Sequence, residues 1–445
     1  MQAEAGADPN TPGSRPRPGP GQSPRQAPER ASERLLGQGP VTRVVGLMSG
    51  TSYDGIDVAA ADLAFDGTEI VLRPLGALAH PLAPGIRDLI GAGLPPAQTS
   101  MADVCRLDTV LGQAFAEAAA RGADELAGGR ADLVVSHGQT LFHWIDDGRA
   151  RGTLQLGQPA WIAERTGLPV VSDLRSRDIT RGGQGAPLVS ILDVLLLPPA
   201  PATRAALNLG GIANLTLVRP DGGVLAYDLG PANALADLAC RRYFDQPYDV
   251  DGQISASGSV SEKLLAALLD EPYFRRPPPK STGKELFHGG YLDAALLGVP
   301  DLPPADIVAT VTELTARLVA AECGTHRIAE LVVSGGGVRN TWLMRRIREL
   351  AGSDHAVSED GMVWIRPIED LGLPSDGKEA YAFALLGFLT FHGVTGTVPA
   401  CTGADAATVL GSITPGHGPL RLPEPPGVVP TRLRIEPPEA RGSKA

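Results

Sequence analysis

The first residues that could do chemistry lie together in the stretch GLMSGTSYDGID. It offers hydroxyl donors at Ser49, Thr51 and Ser52, and it offers carboxylates at Asp54 and Asp57. Backbone N–H groups on a glycine-rich turn can point together at an anion. The two carboxylates would repel a phosphate, so they make sense only with a metal ion or a transferable proton. The alternative is a solvated hairpin turn, because Asp-Gly is a strong turn signal.

A second cluster mixes carboxylates and guanidinium groups ahead of a Gly-Gly-Gln-Gly loop, in SDLRSRDITRGGQGAPL. Its charged members are Asp173, Arg175, Arg177, Asp178 and Arg181. Arginines hold anionic or hydroxylated ligands through forked hydrogen bonds. A carboxylate beside them stays ionised and can act as a base. The alternative is a surface ion-pair cluster, which is the common fate of mixed charge runs.

Two more glycine turns follow strand-like segments. NLGGIANLT contains Gly210 and Gly211, and LVVSGGGVRN contains three glycines at 335–337 followed by Asn340, a predicted helix N-cap. Neither stretch is a dinucleotide-binding G-x-G-x-x-G or a Walker A loop. A plain hairpin explains the first pair equally well, but three such turns in one chain favour a ligand that lies against backbone.

Four other side chains are candidates with structural alternatives. Asp228, after a strand, could hold a metal ion or water, or could be a turn or cap residue. His137 and His143, in SHGQTLFH, could contact a substrate or be structural. Glu379 stands three residues after Asp376, which fits a capping box, so a purely structural role is favoured on the residues alone.

Composition bounds the class of protein and its partners. The chain has 445 residues, is 43% hydrophobic and 20% charged, and carries a net charge of −11, which is typical of a soluble globular protein and argues against nucleic acid or anionic membranes as partners. No apolar run is long enough to predict a membrane helix. The four cysteines lie far apart without a C-x-x-C pair, so we expect thiols in a reducing cytoplasm.

The chain between its ends alternates strand-like and helical segments, and the pattern restarts near residue 204. We therefore predict an α/β protein with a disordered extension at 1–40, an α/β domain at 41–203, a second α/β domain at 204–413 and a Pro-rich tail at 414–445. The stretch VVPTRLRI in the tail could pair locally as a strand. The two domains are expected to face each other across a cleft.

Several elements follow from periodicity. RVVGLM and GIDVAAADLAF predict a hairpin around the first turn, and residues 101–119 predict a helix. ADLVVSHG predicts a short buried strand that runs into a polar loop. APLVSILDVLLL predicts a buried helix, and DGKEAYAFALLGFLTFHG predicts a last helix, opened by Asp376 and closed by Gly393.

Taken together, the motifs resemble those of anhydro-N-acetylmuramic acid kinases. GLMSGTSYDGID, SHGQT, GGQGAPLV, NLGGIAN, KSTGKELF, SGGGVRN and KEAYAFALLG occur here in that family's order and cover about 41–413. The resemblance implies a two-domain actin/hexokinase-like ATPase fold, in which each domain is a mixed sheet flanked by helices that closes over ATP and sugar. The three glycine turns would then be two phosphate loops and an adenosine loop.

The same resemblance implies a reaction and its residues. ATP, water and 1,6-anhydro-N-acetylmuramic acid would give N-acetylmuramic acid 6-phosphate and ADP, with Asp178 as the base that activates water. The implied ATP contacts are Gly50, Thr51, Ser52, Tyr53, Asp54, Gly55, Ile56, Asp57, Gly210, Gly211, Gly335, Gly336, Gly337 and Asn340. The implied substrate contacts are Ser49, His137, Gln139, Arg175, Gln184 and Glu379. The implied Mg²⁺ ligands are Asp57, Asp228 and Glu379.

Two alternatives remain at this point. Levoglucosan kinases share these motifs and open the same kind of anhydro bridge, and a non-catalytic ATP-binding regulator could use the same fold. A muramic acid substrate needs a partner for its lactyl carboxylate, for which Arg175, Arg177 and Arg181 are the candidates. By analogy we expect a small-molecule anhydrosugar as the partner and a homodimer as the assembly.

Overall fold

A computed structural model describes residues 39–50, 53–95, 97–278, 280–283, 285–353 and 363–437. Its strands are β1 Thr42–Ser49, β2 Gly55–Asp66, β3 Glu69–Pro81, β4 Leu133–Asp146, β5 Arg149–Leu156, β6 Val170–Ser172, β7 Thr203–Leu209, β8 Ile212–Val218, β9 Val224–Pro231, β10 Ile328–Ser334, β11 Trp364–Pro367, β12 Ser412–Thr414 and β13 Arg432–Ile435. Its α-helices are α1 Pro84–Gly93, α2 Met101–Arg121, α3 Pro159–Thr166, α4 Ser176–Thr180, α5 Ser190–Leu196, α6 Asn233–Phe244, α7 Gln253–Ser257, α8 Glu262–Leu269, α9 Gly289–Leu296, α10 Pro304–Thr325, α11 Thr341–Ser353, α12 Lys378–Phe391 and α13 Pro399–Thr402.

The strands form two mixed sheets of matching topology. In the first sheet the order is β12-β6-β4-β1-β2-β3-β13, and β5 extends β4 as a hairpin. In the second sheet the order is β11-β10-β7-β8-β9. Both begin with an antiparallel meander whose first strand then pairs in parallel with a later strand, β1 with β4 and β7 with β10. The predicted α/β fold with two helix-flanked sheets is confirmed, and its second sheet begins where the pattern restarts.

Helix α12 lies against the first sheet, on β1, β2 and β4, although it follows the second sheet in sequence. Glycine makes this approach possible, because a Cβ on Gly46 would lie 2.1 Å from the carbonyl oxygen of Ala380. By its place in the sequence this helix is expected in the domain at 204–413, whereas its packing partners β1, β2 and β4 belong to the first half of the chain. Proximity in sequence did not decide which sheet covers the helix.

One hydrophobic core is shared by the two sheets. Leu192 of α5 and Phe383 of α12 are buried in it together with Val44 of the first sheet and Ala206 and Val332 of the second. Helix α2 and helix α10 cover other faces, α2 against the first sheet and α10 against α6, α7 and α11. Burying apolar side chains from both sheets in one cluster stabilises their relative placement.

Three local predictions need correction. Strand β4 does not end at the polar stretch after Ser136 but runs on to Asp146, 14 residues in all, and forms the hairpin with β5. Helix α12 has Gly377 as its N-cap and no side-chain cap, so Asp376 and Glu379 do not form the predicted capping box. The predicted 101–119 helix is present and ends slightly later, at Arg121.

The segment after 414 is also more than a tail. Strand β13 pairs in parallel with β3, in the register Leu433 with Ile70, and Leu433 is buried. The pairing is therefore between distant parts of the chain and not local, as VVPTRLRI had suggested. The predicted extension at 1–40 falls, apart from Gly39 and Pro40, outside the described residues. Among the described helices, none combines the length and apolar composition needed to cross a membrane.

Candidate active site

Asp178 lies in the short helix α4 and is completely buried. Its Oδ2 accepts a hydrogen bond from the backbone N–H of Gly185 at 2.7 Å, and its Oδ1 accepts one from Thr402 Oγ1 at 2.7 Å. Donors to both oxygens fix the plane of the carboxylate. Each oxygen keeps a further lone pair that could take a proton from water.

Arg175 is held beside this carboxylate by His137. Its Nε donates to His137 Nε2 at 2.8 Å, and its Nη1 donates to the carbonyl oxygen of Gly185 at 2.7 Å. Burial and the charge of Arg175 lower the pKa of His137 to about 3, so the ring is neutral, with Nδ1–H donating to the Gly138 carbonyl oxygen. Burial lowers the pKa of Arg175 to about 10, and the nearby charges of Glu379 and Asp178 oppose this. His137 thus has both ring nitrogens engaged inside the protein.

Glu379 links that arginine to a group of carboxylates that interact with one another. Burial and then the charge of Asp57 raise the pKa of Glu379, partly offset by Lys378 and Arg175. Burial raises the pKa of Asp57 as well, and the charges of Asp54 and Asp376 raise it further. Mutual repulsion of this kind marks a place where a cation or a proton would be stabilised.

The buried side chain of Gln139 supports the glycine turn that follows β1. Its Oε1 accepts from Ser49 Oγ at 2.6 Å and its Nε2 donates to the carbonyl oxygen of Gly50 at 3.3 Å. Tyr53 has a left-handed φ of 42°, and its N–H donates to Gly50 at 3.2 Å. Ile56 is buried in the core, so only its backbone could face a nucleotide. Thr51 and Ser52 lie outside the described residues.

The two other glycine turns touch each other. The carbonyl oxygen of Gly210 accepts from the backbone N–H and from Nδ2 of Asn233, at 3.0 and 2.8 Å. Gly335 has φ +88°, and a Cβ there would lie 2.6 Å from Asn208 Oδ1 at the end of β7. A Cβ on Gly337 would lie 2.6 Å from the Cβ of Leu209. The loop after β10 therefore rests directly on the β7–β8 turn, so the two turns form one continuous stretch of backbone, in which Gly336 is exposed and Gly337 is buried.

The remaining nucleotide candidates complete this stretch. The carbonyl oxygen of Gly211 accepts from the N–H groups of Ala232 and Ala234. Asn340 is the predicted cap of α11, and its Oδ1 accepts from the N–H of Leu343 at 2.9 Å. That capping prediction is confirmed. No heavy atom of the described residues lies within 4 Å of a Cβ built on Gly336, so this glycine faces open space.

The structure places Asp228 in a different environment from Asp57 and Glu379. Its Oδ2 accepts from Ser281 Oγ at 2.8 Å and from the N–H of Thr282 at 3.0 Å. Burial raises its pKa, and those hydrogen bonds oppose the rise. In this structure Asp228 anchors the KSTGKELF segment to β9.

Gln184 and His143 connect the segment that follows Asp178 to the β4–β5 hairpin. The side-chain Oε1 of Gln184 accepts from the backbone N–H of Ala150 at 3.0 Å. The backbone N–H of Gln184 donates to the carbonyl oxygen of Thr402 at 2.8 Å. Burial and the charge of Arg175 lower the pKa of His143, whose Nδ1 contacts Thr153 Oγ1 at 3.1 Å. Of the other arginines, Arg181 pairs with Asp405.

The donor set suits a magnesium ion that arrives with a nucleotide. Among the described residues, no group of three or more His, Cys, Asp or Glu side chains is arranged to hold a metal. Mg²⁺ is usually held by only one or two carboxylates together with phosphate oxygens and water. Asp57 and Glu379 fit that role, because burial raises the pKa of both carboxyls and the negative charge of neighbouring carboxylates raises it further.

Two residues that the sequence did not single out matter here. Thr402 donates to Asp178 across 224 residues of sequence, a separation that no local pattern could reveal. Lys378 Nζ lies 2.7 Å from Asp193 Oδ1, and both residues are buried. Lys378 is the first residue of α12, a position where a lysine is usually exposed, so the sequence alone does not signal its burial.

Comparison with known proteins identifies the family of this chain. The family described as anhydro-N-acetylmuramic acid kinase matches residues 42–416. Curated relatives with that name come from Streptomyces coelicolor, 57% identical over 88% of this chain and 99% of the relative, and from Rhodococcus erythropolis, 52% identical over 88% and 99%. Solved structures include a ROK family glucokinase from Streptomyces griseus in complex with glucose and AMPPNP, at 12% identity and a TM-score of 0.34 over 78% of this chain and 99% of that chain.

Proposed function

The chain belongs to the anhydro-N-acetylmuramic acid kinase family, and on that premise we propose that it opens the 1,6-anhydro ring of 1,6-anhydro-N-acetylmuramic acid with water and phosphorylates O6 with ATP. The observation that carries the proposal is the buried Asp178, oriented by Gly185 and Thr402 next to Arg175 and Glu379. An oriented carboxylate and a guanidinium are what a water-activating base and an anion-binding partner require.

The bond changes balance as follows. Asp178 takes a proton from water, the water oxygen bonds to C1 of the sugar, and the C1–O6 bond breaks. The freed O6 bonds to the γ-phosphorus of ATP while the bond to the β–γ bridging oxygen breaks, which releases ADP. The product is N-acetylmuramic acid 6-phosphate, which contains the elements of one water and one phosphoryl group more than the substrate.

The nucleotide side is supplied by backbone. We assign the phosphates to Gly50 and the neighbouring first turn and to the pair at Gly210 and Gly211, and the adenosine to the loop at 335–337. Phosphoryl transfer depends mainly on positioning and on neutralising charge. Asp57 and Glu379 would hold Mg²⁺, and the ion, when bound, would neutralise charge on the phosphates.

We assign the lactyl carboxylate of the sugar to Arg175. Of the three candidate arginines, it is the one that interacts electrostatically with Asp178 and Glu379. Arg181 is instead paired with Asp405. The side chain of Arg177 is exposed to solvent.

A coupled ADP-release assay tests the proposal. Purified protein with Mg²⁺ and ATP would receive 1,6-anhydro-N-acetylmuramic acid or levoglucosan, and the products would be identified by mass. A product from the muramic substrate that is heavier by one phosphoryl group plus one water supports both halves of the reaction. Turnover of levoglucosan alone would move the chemistry to the other sugar, and ATP binding without ADP release would favour a regulator.

A further inference from the structure

A buried ion pair connects the two sheets beside the active site. Lys378, at the start of α12, lies 2.7 Å from Asp193 of α5, in a charge contact rather than an aligned hydrogen bond. Each residue is only 5% exposed. Asp193 Oδ2 also accepts from Thr216 Oγ1 of β8 at 3.2 Å. The cost of removing two charges from water can exceed the gain from their attraction, so a buried pair of this kind need not stabilise the fold. Stability alone therefore does not explain the pair.

The lysine also reaches the strand that leads into the glycine loop. Lys378 Nζ donates to Ser334 Oγ at 3.2 Å, and Ser334 Oγ in turn donates to the carbonyl oxygen of Leu207 on β7 at 3.2 Å. Ser334 is the last residue of β10 and directly precedes Gly335. Helix α12 itself packs on the first sheet, so this side chain connects that sheet directly to β10 of the second, and through Ser334 and Asp193 to β7 and β8.

The position of Lys378 in the chain gives these contacts a consequence. The next residue is Glu379, which interacts electrostatically with Asp57 and Arg175. A shift of the loop at 335–337 would move Ser334, and through it Lys378 and the first turn of α12. A single buried side chain therefore joins the backbone that we assign to adenosine with the carboxylate that we assign to the sugar and metal.

We propose that Lys378 is a positioning residue that couples the glycine loop at 335–337 to Glu379, so that nucleotide binding sets the place of the sugar-side carboxylate. The proposal rests on the proposed function for the meaning of the two sites, but the mechanical coupling does not depend on which sugar is used. The coupling requires two contacts. The Lys378–Asp193 pair must hold the lysine in place, and the Ser334 contact must transmit movement of the loop at 335–337 to the lysine.

Hydrogen exchange with a nonhydrolysable ATP analogue tests the coupling without turnover. In the wild-type protein, addition of AMPPNP should slow exchange both at the loop around 335–340 and at the first turn of α12, residues 378–381. Ser334→Ala keeps the ion pair but removes the link, and the double variant Lys378→Met/Asp193→Leu removes both charges together. In both variants, protection at the loop should remain while protection at 378–381 falls to the level seen without nucleotide.

A matched control separates coupling from general destabilisation. Arg204 pairs with the largely buried Glu330 near the start of β7 and β10, at the opposite end of these strands from Ser334, so Arg204→Met disturbs a comparable ion pair away from the site. In the Arg204→Met variant, addition of AMPPNP should slow exchange at residues 378–381 as much as it does in the wild-type protein. Equal protection at 378–381 in the Lys378 and Ser334 variants, or no transmission in the wild type, would overturn the proposal. Absence of turnover with the muramic substrate would count against the proposed function alone.

Discussion

At the scale of single residues, burial and two hydrogen bonds hold Asp178 in one orientation, as our proposal that it is the base requires. Asparagine could form hydrogen bonds with the same two partners, Gly185 and Thr402. Its amide oxygen can accept from the N–H of Gly185, and its amide N–H₂ can donate to the hydroxyl oxygen of Thr402. We therefore expect Asp178→Asn to fold and to bind ATP normally. Turnover should fall by about 10²–10⁴-fold, the usual contribution of a general base. Steady-state ADP release and calorimetry with AMPPNP measure the two effects, and substantial remaining activity would reassign the base.

Thr402 offers a finer test of the same carboxylate. Thr402→Val keeps the shape of the side chain and removes the 2.7 Å hydrogen bond to Asp178, whereas Thr402→Ser keeps the donor. A hydrogen bond to a charged group contributes about 1.5–3 kcal/mol, so kcat should fall roughly 10–100-fold in the valine variant. The KM for ATP should stay near the wild-type value. A serine variant as impaired as the valine variant would point to packing instead of orientation.

Glu379 is placed at a cost in stability that depends on pH. Its pKa is raised in the folded protein, so between the ordinary carboxyl range near ~4.3 and the raised value the folded state holds a proton that the unfolded chain has lost. Stability therefore falls as pH rises through that window. Glu379→Gln should raise the melting temperature at pH 7 in metal-free buffer, and the gain should vanish as pH falls toward ~4. The same variant should lose most of its activity.

Glu330, a carboxylate whose pKa is shifted in the opposite direction, provides the control for this measurement. Burial of Glu330 would raise its pKa, but hydrogen bonds from Arg204 and Arg366 outweigh burial and lower it. The folded state therefore favours the charged form, and Glu330→Gln should lower the melting temperature at pH 7. Thermal unfolding of both variants between pH 4.5 and 8 checks the pair of signs. A destabilised Glu379→Gln at pH 7 would show that its charge is compensated in the folded protein.

At the scale of elements, the sequence predicts what is local and misses what is distant. The hairpin β1–β2, helix α2 and the Asn340 cap were all readable, because apolar periodicity and cap chemistry act within a few residues. The capping box at Asp376 was not realised, since Gly377 takes the cap position and Asp376 pairs with Arg339. The contacts of Thr402 and Lys378 arise only after both sheets are assembled.

The loop after β10 gives a prediction with an internal control. Gly335 has φ +88°, and a Cβ would lie 2.6 Å from Asn208 Oδ1, whereas a Cβ on Gly336 meets nothing within 4 Å among the described residues. A non-glycine residue in strained backbone costs about 1–3 kcal/mol, so Gly335→Ala should lower the free energy of unfolding by at least that amount. Gly336→Ala should fold normally and raise the KM for ATP if nucleotide lies on this backbone. Urea unfolding and ATP titration separate the two.

At the scale of the whole molecule, two sheets of matching topology share one core. Sequence order alone would place α12 with the second sheet, yet it packs on the first, and the core cluster that contains it draws residues from both. Asp57 and Arg175 belong to the first half of the chain, and the glycine turns at 210–211 and 335–337 belong to the second. The candidate site therefore depends on long-range packing that no single motif specifies.

The C-terminal segment completes the first sheet, and this can be tested by truncation. Without β13, strand β3 would become an edge with unpaired N–H and C=O groups, and the ion pairs of Arg434 with Glu69 and Asp66 would be lost. A chain that ends at residue 431 should melt at a lower temperature and aggregate more, while one that ends at 437 should match the full-length protein. Leu433 is 2% exposed, so Leu433→Ala should cost about 2–5 kcal/mol without removing the strand. Thermal unfolding with light scattering ranks the three, and equal stability of the 431 and 437 chains would mean that β13 is dispensable.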